Sequence, residues 1–212
     1  MLEPLALGLL TTPSAAGAAL AVAVLSTFLS RRPLHLWMNI GYAAERRRYA
    51  ARVCLTLTGI AAAAGLLAGK LGGFDALWPL ALTLVPGALF AWFDLQGESR
   101  AAAAELAGAT AFASLPLAFA SVAGAPLALA AGLTLAMMVR LVPTMLVVRA
   151  YLRGQKGQPA SPGIALGACL TGTLLVATLV SADLTTGTAL ALAVLLNIRA
   201  AWLLGPRPPR LR

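Results

Sequence analysis

Arg140 is the residue of this chain that most demands a chemical explanation. It stands in Met138-Val139-Arg140-Leu141-Val142-Pro143, within a stretch from Pro126 to Val148 that is otherwise uncharged. A charged side chain at membrane depth costs about 3 kcal/mol on insertion scales, so it needs a partner or a purpose. Pro143 cannot donate a backbone hydrogen bond and crowds the carbonyl of Val139, which predicts a kink and an acceptor that Arg140 can satisfy. The other reading sets Arg140 in a water-filled cavity, holding an anionic group. Arg149 and Arg153, one turn apart, would then lie nearer the mouth. The sequence leaves these two readings even.

Acidic residues are few. Asp94, Glu98, Arg100 and Glu105 cluster between two apolar runs. Asp94 and Glu98, four apart, share a face only if the helix continues through Gly97, and could then hold Mg²⁺ through carboxylates and water. The plainer reading is a solvated helix-end loop, with Glu105 paired to a basic neighbour. His35, in Arg31-Arg32-Pro33-Leu34-His35-Leu36-Trp37, lies just past a helix end and beside an interfacial Trp, which suits the headgroup level better than catalysis. Cys54 and Cys169 sit in apolar runs as small hydrophobes. The patterns HExxH, CxxC, GxSxG and the P-loop are absent. No catalytic residue, metal site or cofactor is assigned.

The elements that position these residues follow from composition. With 212 residues, 60% hydrophobic and 11% charged, and a mean hydropathy of +0.86, the chain lacks the polar surface of a water-facing globule. A polytopic bundle of transmembrane helices, one integral membrane domain over residues 1–212, is the class that remains. Complete spans are expected at 13–30, 52–69, 76–93, 101–122, 126–148, 163–182 and 185–204, with an N-terminal half helix at 1–10. Gly65 with Gly69, and Gly163 with Gly167, are small-residue pairs one turn apart that predict close helix packing within the chain. Sixteen Lys and Arg face seven Asp and Glu, for a net +9. In a soluble protein that surplus would suggest nucleic acid; here nearly all of it falls in or beside 31–49, 94–100, 154–162 and 206–212. Lys70 is the one basic residue of 70–73, 124–126 and 183–187. By the positive-inside rule the first set and the C-terminus are cytoplasmic, and the basic segment Ala44 to Arg52 is a juxtamembrane helix that contacts lipid rather than nucleic acid.

Several motifs carry a family resemblance. Glu3-Pro4-Leu5-Ala6-Leu7-Gly8-Leu9-Leu10 before Thr12-Pro13-Ser14, Phe28-Leu29-Ser30-Arg31-Arg32-Pro33-Leu34, and Phe93-Asp94-Leu95 with Gly97 and Ser99-Arg100 are three of them. Glu105-Leu106, Gly108, Arg140-Leu141-Val142-Pro143-Thr144 and Val148-Arg149-Ala150 complete the set. Together they resemble the YwiC-like family of bacterial membrane proteins. That resemblance implies a His-Gly-Ala-Trp stretch before the Glu-Pro motif and another helix after the segment near residue 207. Neither is present, which suggests a chain shortened at one or both ends. Restoring both gives nine helices, as in the UbiA-type intramembrane prenyltransferases, to which the family is similar at a distance. UbiA enzymes place two aspartate-rich Mg²⁺-diphosphate motifs in cytoplasmic loops that correspond here to Arg31-Arg32-Pro33-Leu34-His35 and Arg149-Ala150-Tyr151-Leu152-Arg153. Neither stretch contains Asp. Arginine could grip a diphosphate directly, but two-metal ionisation chemistry has no support.

The functional expectation is a UbiA-like membrane protein of a bacterial inner membrane, with a cytoplasmic-facing cavity near Arg140, Arg149, Asp94 and Glu98. The cavity would take an isoprenoid-like or other amphipathic ligand. A small-molecule transporter and a non-catalytic assembly factor are the alternatives, and the oligomeric state is open.

Overall fold

In the computed structural model the span expected from residue 13 begins as a helix two residues later, at Ala15, with Ser14 as its N-cap. The Ser14 hydroxyl accepts the Gly17 N–H at 2.9 Å, satisfying one of the donors that a helix start leaves without a partner. Residues 2–98, 101–159, 161–182 and 187–205 are described, and no strand occurs among them. The helices are α1 (Leu2–Thr11), α2 (Ala15–Met38), α3 (Ala44–Gly72), α4 (Leu80–Leu95), α5 (Ala102–Ala113), α6 (Leu115–Val122), α7 (Leu127–Gln155), α8 (Pro162–Ser181) and α9 (Gly187–Leu204). A short 3-10 turn at Asp75–Leu77 precedes α4.

Five helical stretches among the described residues are long and apolar enough to cross a membrane: α2, α3, the joined pair Ala102–Val122, α7 and α8. The expected span at 76–93 is shorter, because Pro79 caps α4 and leaves it 16 residues. The span at 101–122 is broken at Ser114, since Pro116 cannot donate to the carbonyl of Phe112. Ser114 takes up the slack: its hydroxyl is 2.9 Å from the Ala111 carbonyl and 3.0 Å from the Thr83 hydroxyl of α4.

Two helices outrun their expected ends. The segment beginning at Arg31 was expected as a loop, yet α2 continues through Pro33 to Met38, so His35 lies in its last turn rather than beyond it. A proline in a helix costs about 3 kcal/mol. The ion pair that Arg31 makes with α4 anchors the extension and offsets part of that cost. Likewise α7 runs past Val148 through Arg153 to Gln155, and Gly157, with φ of +64°, turns the chain after it. The basic juxtamembrane segment and the span at 52–69 merge into the 29 residues of α3.

One core forms where Phe119 of α6 is fully buried among Leu5, Leu20, Leu115 and Ala118. Gly8 makes room for that ring, since a Cβ there would lie 2.7 Å from it. A second core joins α7, α8 and α9 through Val147, Ala150, Ala165, Cys169 and Ala200, so Cys169 packs as an apolar residue. The glycine pairs behave otherwise than expected. Gly69 receives the Phe74 ring, but Gly65, Gly163 and Gly167 have open space where a Cβ would point.

Candidate functional site

One face of α7 carries Leu141, Met145, Val148, Arg149, Leu152 and Arg153, three or four residues apart, so that a single stripe grades from apolar to cationic. Facing it, α5 presents Glu105, Gly108, Ala109 and Phe112 at the same helical spacing. The small residues at 108 and 109 keep this wall thin, and a Cβ on Gly108 would come within 3.2 Å of Phe90. Between the two faces lies a cavity of about 740 Å³, closed by Pro4 of α1, Arg31 of α2 and Phe90 of α4, with Lys156 and Gln158 beyond the end of α7. That volume is in the range of small-molecule sites.

Two ion pairs border the basic end. Arg31 donates from Nε and Nη2 to the two Asp94 oxygens at 2.5 and 2.7 Å, a bidentate pair, while its guanidinium lies 4.6 Å from the centre of the Phe90 ring. Asp94 follows the apolar run that ends at Phe93. Arg149 donates from Nη1 to Glu105 at 2.7 Å, joining α7 to α5. Glu105 thus has the basic partner expected of it.

Arg140 is placed differently from both readings of it. Its Nη2 lies 2.5 Å from a carboxylate oxygen of Glu3, an ion pair between α7 and α1 in which the side chains are 39% and 45% exposed. It therefore has a carboxylate partner on another helix, and it does not line the cavity. Of the residues singled out by sequence, Glu105, Arg149 and Arg153 line the cavity; Asp94 stands behind Arg31, and Glu98 and His35 are elsewhere. Arg100 lies outside the described residues. No group of three His, Cys, Asp or Glu side chains suited to a metal occurs among the described residues. Asp94 and Glu98 do not share a helix face, because α4 ends at Leu95 and Gly97 turns with φ of +79°. Phe90 and Glu3 were not foreseen at these positions, and Arg31 was marked only by the UbiA resemblance. Glu3 was the one signal at hand, as the single charged residue of the first ten after the start.

A chain whose described residues are helical and strand-free, with five stretches long and apolar enough to cross a bilayer, is a multi-pass membrane protein. The chain belongs to the YwiC-like protein family, whose family model matches residues 1–120. That match takes in Arg31, Phe90, Glu105 and Phe112 of the cavity wall and stops before α7. No curated protein and no solved structure matches the chain.

Proposed function

We propose that this YwiC-like protein binds an isoprenoid or other lipid-like amphipath in the cavity between α5 and α7. The observation that carries this reading is the graded wall: an apolar floor of Leu141, Met145 and Phe112, and a mouth of Arg31, Arg149, Arg153 and Lys156. A ligand with an apolar chain and an anionic head satisfies both ends at once, whereas a small polar solute leaves the floor uncovered. The span from Leu141 to Lys156 is about 22 Å at 1.5 Å per residue, enough for a long acyl or prenyl chain.

In this reading α4 and α9 also cross, giving seven spans and a half in a bacterial cytoplasmic membrane, with the basic mouth and the C-terminus on the cytoplasmic side. A UbiA-like arrangement is supported by two stretches that correspond to the UbiA metal loops: residues of both, Arg31 from α2 and Arg149 and Arg153 from α7, line one cavity. Magnesium does not fit the residues there, since both stretches supply arginine and no aspartate. Binding is therefore assigned to the cations themselves, and no ionisation step is derived.

Mass spectrometry of lipids retained through purification tests this reading. Wild type should retain an anionic amphipath that Met145→Trp, which fills the apolar floor, loses. Equal retention by the two proteins would remove the proposal. Substrate-driven flux across proteoliposomes would favour a transporter instead.

A further inference from the structure

The charges around the mouth do not balance, and the surplus specifies the head of the ligand. Arg31, Arg149, Arg153 and Lys156 bring four positive charges to the cavity. Asp94 neutralises Arg31 and Glu105 neutralises Arg149, which leaves two. The remaining cations are Arg153 and Lys156, which have no carboxylate partner among the described residues and lie three apart at the end of α7. The C-terminal end of α7 contributes about half a negative charge of its own, lowering the surplus to roughly one and a half.

We infer that the cavity takes a lipid whose head is a terminal phosphomonoester. Such a group carries about −1.5 to −2 at pH 7 and has three acceptor oxygens for Arg153 and Lys156. A phosphodiester head carries one charge and leaves about half a positive charge of that surplus unmatched. A zwitterionic head brings a cation of its own against the guanidinium groups. A diphosphate head, near −3 by the same counting, overshoots the surplus and sets its excess against Glu105 and Asp94. This inference rests on the lipid-cavity reading above and narrows it, and it departs from the diphosphate that the UbiA resemblance implies.

Native mass spectrometry in a neutral detergent separates the possibilities. The protein is offered phosphatidic acid, phosphatidylglycerol, phosphatidylcholine and diacylglycerol diphosphate of identical acyl chains, and inorganic phosphate as competitor. Phosphatidic acid should bind about tenfold tighter than phosphatidylglycerol, the effect of one further charge-assisted contact. It should bind at least as tightly as the diphosphate lipid, and inorganic phosphate should not displace it. The Arg153→Gln/Lys156→Gln double variant should bring phosphatidic acid and phosphatidylglycerol to near parity. Arg46→Gln/Arg48→Gln, equal in charge removed but placed at the exposed start of α3, should keep the preference. Equal binding of the two anionic lipids by wild type, tighter binding of the diphosphate lipid, displacement by inorganic phosphate, or equal loss in the α3 variant would each overturn the monoester assignment. Binding of no anionic lipid above phosphatidylcholine would overturn the lipid-cavity reading itself.

Discussion

Glu3 and Arg140 form an ion pair whose value lies in what each would cost alone. An arginine left without a partner at membrane depth is penalised by about 3 kcal/mol, and removing one member of a pair harms more than replacing both. Glu3→Gln should therefore lower stability in detergent by about 2 kcal/mol, with partial exposure discounting the full penalty. Adding Arg140→Leu should recover most of that loss, and thermal unfolding of the three proteins reads it directly. The lipid profile should not change in either variant, because neither residue lines the cavity. Asp94 is the opposite case, since its partner Arg31 does line it. Asp94→Asn releases one more positive charge into the mouth and should tighten binding of anionic lipid about threefold, measured by the same native mass spectra.

At the scale of the helix, small residues divide into those that seat a neighbour and those that do not. Gly8 meets the buried Phe119 ring, and a Cβ there would need the ring to move in a closed core. Gly8→Ala should destabilise by about 1–3 kcal/mol through overpacking. Gly163→Ala and Gly167→Ala meet nothing and should be neutral or stabilising by up to about 1 kcal/mol, from helix propensity alone. Unfolding midpoints of the three variants check the division. The spacing of Gly163 and Gly167 is a small-residue packing motif and Gly8 has no such partner one turn away, which shows how little a pattern on one helix says about its neighbour. Apolar runs and turn residues made most elements legible: the α2 start at Ala15, the α8 start at Pro162 and the break near Gly124 lie within two residues of expectation. Ends set by tertiary contact were not legible. Pro33 reads as a stop until Arg31 is seen gripping Asp94, 63 residues away. The site followed the same rule. Arg149, Arg153 and Glu105 stood out as charges beside apolar runs, whereas the cavity between them depends on which faces of α5 and α7 oppose each other.

For the whole molecule the decisive question is whether α4 crosses the bilayer. Its 16 residues span about 24 Å, short of a hydrocarbon core near 30 Å, and Pro86 lies within it. A re-entrant α4 would invert everything after it and set the cations of α7 opposite those of α3. Contacts at its two ends argue against that inversion. Asp94, at the end of α4, is bonded to Arg31 near the end of α2. The far end of α3 lies elsewhere, where the Cβ position of Gly72 would be 2.7 Å from the Val122 carbonyl oxygen at the end of α6 and 3.2 Å from Ala16 at the start of α2. Because α3 leaves the end of α2 and runs 29 residues to that second level, the chain must return through the 3-10 turn and α4 to bring Asp94 back to Arg31. The turn at Asp75–Leu77 supplies the length that α4 lacks. Reporter fusions after Arg48, Gln96 and Arg153 should therefore read cytoplasmic, and those after Gly73 and Gly124 should read on the opposite side. Gly73 and Gln96 reading on one side would make α4 re-entrant and separate Arg149 and Arg153 from the cytoplasmic surface. The mouth of the cavity would then face away from the anionic leaflet that the positive-inside arrangement requires it to meet.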